Sequence, residues 1–386
     1  MNDTKLDVVR TRLLVLLILV GVCLCISKPA EAFPALFPDA RSAAMGSTGV
    51  ASDPRNAVFF NPALLATEYE QYSWYAFLPS YHETIADPDN LDSGLNHFLA
   101  AANDLFSNST EANRQATATA LAALENKEYR ERNAKTVLLG VPGIALSGAF
   151  YISRYQVFTA TPVIDNSDYA DINNITNNST IDYRGLDITE MGFSSALPFR
   201  NGWLGDFKLG ATLKLQLMDG LAYSKEVVLS DLSLNNEGEV DKTSTFNFDV
   251  GFSKEVGVWN FGLAASNIIK KGVNLGNSSE TYSLEPLLRA GVAYRSRKTY
   301  FEVDADLLTS QQFGVEEKSQ FVSAGWEYSL LPWLFVRAGA QYDLGGNNLS
   351  TFSYGLGLNL FGFQLDGAAT TNAEEQGLYA QLTLKF

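Results

Sequence analysis

The chain has 386 residues, a formal charge of −15 at neutral pH and only two cysteines. An acid excess of that size excludes a general nucleic-acid surface, since phosphates select basic faces. Both cysteines, Cys23 and Cys25, sit in one apolar run near the N-terminus, so the remainder has no disulfide, thiol nucleophile or cysteine-bound metal.

That run extends from Leu13 to Ile26, behind Lys5, Arg10 and Arg12 and ahead of Ala30-Glu31-Ala32. A basic start, a short apolar core and an A-x-A site read as a secretory signal peptide over residues 1–32, cleaved after Ala32. The run falls short of the roughly 20 residues that a membrane-spanning helix needs, and no second long apolar stretch follows. The next segment, residues 33–70, is apolar but irregular. In "GVASDPRNAVFFNPALLA", Pro54 and Pro62 break any strand and no helical period is sustained. Asn61 followed by Pro62 predicts a stiff turn, with the amide side chain bonding the backbone two residues on.

Residues 71–82 predict a first strand. An alanine-rich, charged insertion follows over residues 91–135, with Leu91, Leu95, Phe98, Leu99, Ala102, Leu105 and Phe106 on one helical face. Residues 107–110 break it, so a helical hairpin is expected, serving at the outer mouth as a rim cap or a ligand lid. Beyond it the period becomes two. In "FKLGATLKLQL", Phe207, Leu209, Leu213, Leu215 and Leu217 alternate with Lys208, Gly210, Lys214 and Gln216, as a strand with two distinct faces requires. Strands are predicted near 136–151, 154–164, 182–197, 203–224, 242–254, 257–269, 285–296, 298–308, 317–328, 333–344, 351–360, 363–371 and 377–386. One face is aliphatic and aromatic; the other mixes glycine, amides and charges, among them Lys208, Lys214, Asp249, Arg289, Arg295, Glu302, Asp304, Asp306 and Arg337. Tight connections such as "RNGW" and "RSRK" alternate with long polar ones.

Together these features predict an all-β fold, a transmembrane antiparallel barrel over residues 71–386 with about 14 strands, or 12 if residues 136–164 form fewer. The expected location is the outer membrane of a Gram-negative bacterium, in contact with outer-membrane lipid and lipopolysaccharide. An outward arginine, as in Leu213→Arg, is expected to cost about 2–4 kcal/mol, and a change at inward Lys214 much less. Phe386 closes an alternating C-terminal strand and is expected to act as the signal read by the barrel-assembly machinery.

No enzyme, cofactor or metal is expected. His82 and His97 are the only histidines, and no motif pairs either with a nucleophile; Ser80 lies near His82 without one. Asp165, Asp168 and Asp171 lack the spacing and glycine of a calcium loop, and read as a solvated outer loop.

The segment "ARSAAMGSTGVASDPRNAVFFNPALLA", Ala40 to Ala66, resembles the start of the FadL-like outer-membrane barrels, and "FFNPALLA" resembles their TraF-like branch, associated with conjugal transfer. The resemblance implies that residues 33–70 form a hatch plugging the barrel, with Met45, Gly46, Gly49, Phe59, Phe60, Asn61 and Pro62 as its candidate packing residues. It also implies a hatched channel passing small hydrophobic molecules. The alternatives are an outer-membrane accessory of a conjugation or secretion apparatus, with proteins of that apparatus as partners, and a purely structural or adhesive barrel.

Overall fold

The computed structural model describes residues 39–52, 54–67, 74–141, 147–170, 178–202, 205–227, 240–276, 280–311, 313, 318–346 and 349–385. The expected signal peptide and Phe386 lie outside the described residues.

Eighteen strands run in chain order: β1 Tyr75–Ala86, β2 Tyr129–Val141, β3 Ser147–Val163, β4 Thr180–Gly202, β5 Gly205–Glu226, β6 Val240–Val256, β7 Trp259–Ser266, β8 Lys271–Asn274, β9 Thr281–Leu284, β10 Leu287–Arg295, β11 Thr299–Asp306, β12 Ser310–Gln311, β13 Lys318–Ser319, β14 Phe321–Leu331, β15 Leu334–Asp343, β16 Thr351–Leu360, β17 Phe363–Thr371 and β18 Glu375–Lys385. Fourteen of them close an antiparallel barrel, β1 pairing with both β2 and β18, while β8–β9 and β12–β13 are separate hairpins within connections. Closure satisfies every strand edge, which lipid cannot do.

The period-two pattern sets the wall. Leu213 is 62% exposed while Lys214 beside it is buried; Phe301 is exposed between buried Tyr300 and Glu302. Alternate side chains thus face lipid and lumen. Pro79 marks the one register irregularity shared by two seams: β1 slips against β2 between Phe77 and Ser80, and against β18 between Leu78 and Tyr81. Proline has no N–H to give a ladder.

Connections at one barrel end are short: β4–β5, β6–β7, β10–β11, β14–β15 and β16–β17. Those at the other end are long apart from β17–β18, a turn of residues 372–374; in outer-membrane barrels the end with long connections is the external side, the short turns facing the periplasm. The β1–β2 connection carries α3 Leu91–Ser107 and α4 Glu111–Ala122; α1 Ala40–Ala44 and α2 Ala57–Phe60 lie in the N-terminal segment. Thr110 caps α4 by accepting from the Asn113 N–H at 3.2 Å, and the Thr117 hydroxyl donates to the Ala101 carbonyl at 3.0 Å, tying the two helices. Leu91, Phe98, Leu121 and Leu124 pack with Ala160, Ile181, Tyr183 and Val227. Those partners lie on the outward faces of β3–β5, so the hairpin clads the outer wall above the membrane rather than covering the mouth.

Two sequence boundaries are corrected. Residues 129–135 begin β2 and are not part of the helical insertion. Their alternation is hidden because Arg130 and Arg132 face the lumen while Glu131 and Lys135 face out, so both faces are charged above the bilayer. β2 ends at Val141 and β3 begins at Ser147, so Arg154 lies well inside β3. The sequence stays apolar across this boundary, which hid it.

Candidate functional site

The lumen holds the N-terminal segment. Its parts are α1 Ala40–Ala44, α2 Ala57–Phe60 and a 3-10 helix, Pro62–Ala66. Asp39 caps α1, accepting from the Ser42 N–H at 3.1 Å. Gly46 and Ser47 both turn left-handed, at φ 70° and 63°, and end the helix. The Asn61 carboxamide oxygen accepts from the Ala63 N–H at 3.1 Å, while its nitrogen donates to the Val50 and Phe252 carbonyls at 2.7 and 2.9 Å. One fully buried amide thus closes the hatch turn, crosslinks the hatch to itself and holds it to β6.

Wall carboxylates satisfy hatch amides that would otherwise be buried without partners. Asp304 accepts from the Gly49 and Val50 N–H groups at 2.8 and 3.0 Å, and Glu302 from Ala51 at 2.7 Å. The Gly46 N–H reaches the Ser353 hydroxyl at 2.9 Å. Arg289 donates to the Ser47 carbonyl at 3.2 Å, lies 5.6 Å over the Phe60 ring, and makes a 2.8 Å ion pair with Asp306. Arg41 pairs with Glu327 at 2.9 Å, and Glu327 with Arg337 at 2.7 Å.

Close approach depends on wall glycines. A Cβ on Gly339 would lie 2.1 Å from the Gly46 nitrogen; on Gly325, 2.4 Å from the Met45 carbonyl oxygen; on Gly262, 2.1 Å from the Val50 oxygen; on Gly251, 2.0 Å from the Asn61 oxygen; on Gly210, 2.3 Å from the Pro62 carbonyl carbon. These five strands leave out side chains where the hatch backbone lies. The sequence reading missed this belt, although its signal was present as glycines recurring on the polar face.

The candidate hatch residues separate into two groups. Met45 packs with Ala51, Ala293 and Tyr300. Phe60 is buried and its ring fills the place where a Cβ on Gly49 would stand, at 2.6 Å. Asn61 and Pro62 bind the β5–β6 wall. Phe59 is half-buried and meets Tyr151 edge-on, with ring centroids 5.1 Å apart. It touches two apolar clusters: the hatch–wall cluster of Val58, Leu64, Phe77, Leu138 and Tyr151, and a cluster on the outer side. In the latter, Tyr155, Val157, Leu186, Ile188 and Met218 of the wall meet Val273, Leu275 and Leu284 of the β7–β10 connection and Phe313 of the β11–β14 connection. Both connections fold into the barrel, which no local sequence pattern announced.

The hatch divides two spaces. On the outer side is a cavity of about 130 Å³, floored by Ser47 and lined by His82, Arg132, Tyr155, Arg289, Phe321 and Tyr379. On the periplasmic side is a recess of about 420 Å³, bordered by Arg41, Arg55, Arg295, Arg297, Lys298 and Lys385, with Arg337 behind them and Glu327 as its one acid among the described residues. Elsewhere the lumen is tied by buried ions: Lys214 lies 2.9 Å from Asp249 and 3.5 Å from Glu190, and Glu190 also accepts from the Tyr151 hydroxyl at 2.6 Å and Gln216 at 2.7 Å.

His82 is buried and stacks on Tyr379 at 5.1 Å; His97 is exposed on α3. Among the described residues no group of His, Cys, Asp and Glu is placed to hold a metal. In the β3–β4 loop, Asp165 is held below the usual carboxylate range by the Ser167 hydroxyl and N–H. Asp168 is not solvated as expected: it is buried, accepting from the Ser179 N–H at 2.7 Å to pin the loop. Asp171 lies outside the described residues.

A family model described as the F plasmid transfer operon TraF protein matches residues 58–307. The chain belongs to this TraF family. No curated protein sequence matches it. In architecture it is similar to the toluene transporter TbuX of Ralstonia pickettii, at TM-score 0.56 and 11% identity, over 92% of this chain and 99% of that one. It is also similar to a TodX monoaromatic hydrocarbon channel with the deltaS2S3 change, at 0.54 and 9%, covering 90% and 97%, and to a FadL homologue of Pseudomonas aeruginosa, at 0.51 and 11%, covering 93% and 98%. At these identities the likeness establishes the fold: this TraF-family chain is a FadL-like outer-membrane barrel of 14 strands with an N-terminal segment inside it.

Proposed function

We propose that this barrel passes small apolar molecules across the outer membrane past a hatch that yields locally. The observation that carries the reading is Phe59. It joins the outer lumen cluster to the hatch core, so apolar packing runs unbroken from the outer side to the plug, and an apolar molecule that parts these side chains meets no polar gap. Transfer onto that surface gains about 0.8 kcal/mol per buried methylene, enough to offset the loss of a few hatch contacts. The structural neighbours described as a toluene transporter and a monoaromatic hydrocarbon channel agree with this class of cargo.

Phe59→Ala is the direct test. It breaks the apolar continuity without touching the Asn61 or Asp304 anchors, so assembly should persist and uptake of a labelled aromatic or long-chain compound should fall several-fold. Uptake in a deletion strain equal to wild type would rule the reading out. The second reading, an outer-membrane accessory of a transfer or secretion apparatus, is favoured by the family match. Its expected mark is a deletion that lowers plasmid transfer or secretion and leaves uptake unchanged.

A further inference from the structure

The periplasmic recess carries a charge pattern that the channel does not use. In a chain of net −15, it is bordered by bases almost alone. Glu327 is already engaged by Arg41 and Arg337, and Arg337 by Asp366 at 2.6 Å. Arg295, Arg297 and Lys298, on the short β10–β11 turn, have no ion-pair partner among the described residues. Converging cations repel one another, and nothing in the barrel wall gains from placing them there. All three border the recess.

The rim adds a second, independent feature. The β16–β17 turn places Phe361 and Gly362 at φ 52° and 85°. A two-residue turn with both φ positive selects Asn, Asp or Gly at its first position. Phenylalanine there is unfavourable for the turn, and the residue is 99% exposed, packing against no described part of the protein. This turn adjoins the recess: the Lys385 N–H donates to the Gly362 carbonyl at 2.8 Å, and Asn359 to that of Trp333 at 2.9 Å on the neighbouring β14–β15 turn. Three successive short turns therefore present cations inside and an apolar anchor beside them.

We propose that the periplasmic mouth is a docking site for an acidic, extended segment of a periplasmic protein, its carboxylates entering the recess toward Arg295, Arg297 and Lys298 and an apolar side chain resting on Phe361. Such a partner stands directly under the hatch. The proposal is independent of what crosses the barrel, and its test does not read uptake.

The test uses the full barrel in lipid nanodiscs and a fluorescent ten-residue peptide of alternating Glu and Leu. Gln–Leu and Lys–Leu versions, a labelled single-stranded DNA and free acetate or phosphate serve as comparisons. The Glu peptide should bind, with affinity falling as salt rises. Binding should weaken by about tenfold or more in the triple variant Arg295→Ala, Arg297→Ala, Lys298→Ala, as losing charge pairs at an interface does. Phe361→Asn suits the turn better, so folding should hold or improve while peptide binding weakens. Equal binding of the Gln peptide, or an unchanged affinity in the triple variant, overturns the proposal. So does displacement by millimolar acetate or phosphate, which marks a small-anion site, or DNA binding as tight as the peptide's, which marks a generic polyanion surface.

Discussion

Gly325→Ala/Gly339→Ala is expected to yield a barrel that assembles and leaks. The two glycines are directly paired across β14 and β15, and together they grip the end of α1. A methyl on Gly339 meets the Gly46 nitrogen at 2.1 Å and one on Gly325 meets the Met45 oxygen at 2.4 Å. Both contacts are to backbone, which cannot rotate aside as a side-chain tip does. Moving residues 45–47 also breaks the Gly46 bond to Ser353 and the Arg289 bond to Ser47, so displacement spreads along the hatch. Overpacking of this kind costs about 1–3 kcal/mol per site. The lipid-facing residues of β14 and β15 are untouched, so heat-modifiable mobility in gels should remain. Sensitivity to vancomycin, which intact outer membranes exclude, should rise sharply. Gly367→Ala is the matched control, because a Cβ there meets only the Tyr379 oxygen at 3.9 Å. Leakage from neither variant, or equal leakage from both, contradicts the seating of the hatch.

The barrel was legible because lipid enforces a strict alternation. Leu213 beside Lys214, and Phe301 beside Glu302, reveal their faces without any tertiary information, and the count of 14 strands follows from such runs. The rule weakens where lipid ends. Residues 129–135 lie above the bilayer, both faces of β2 turn polar, and the strand start was lost in the helical insertion. The N-terminal segment stood apart in the sequence through its prolines and its motif, and the Asn61 bond to Ala63 was legible through ordinary turn chemistry. The seating of the segment was not. The N–H groups of Gly46, Gly49, Val50 and Ala51 find Ser353, Asp304 and Glu302, about 250 to 300 positions away, and which inward carboxylate meets which hatch amide depends on barrel closure. The inward folding of Val273, Leu275 and Phe313 was hidden for a similar reason: short apolar pieces inside polar loops look like ordinary outer connections until the lumen that receives them is known.

The same closure changes the expected result at Lys214. Alternation alone makes Leu213→Arg costly and Lys214→Leu mild, on the premise of a watery lumen. Lys214 is instead buried between Asp249 and Glu190, and both acids are held by further bonds, Asp249 from the Asn267 N–H at 2.7 Å and Glu190 from Tyr151 and Gln216. Removing the cation leaves two fixed carboxylates close together with no counter-charge, a loss of about 3–5 kcal/mol. Leu213→Arg places a charge in lipid, at about 2–4 kcal/mol. Both variants should therefore lower the denaturant midpoint of the barrel refolded in vesicles. Their rescue separates the causes. Adding Glu190→Gln and Asp249→Asn to Lys214→Leu removes the uncompensated charge and should recover most of the midpoint, whereas the same two changes should not rescue Leu213→Arg, whose fault lies on the opposite face. A wild-type midpoint for Lys214→Leu alone would mean that water reaches this part of the lumen and screens the two acids.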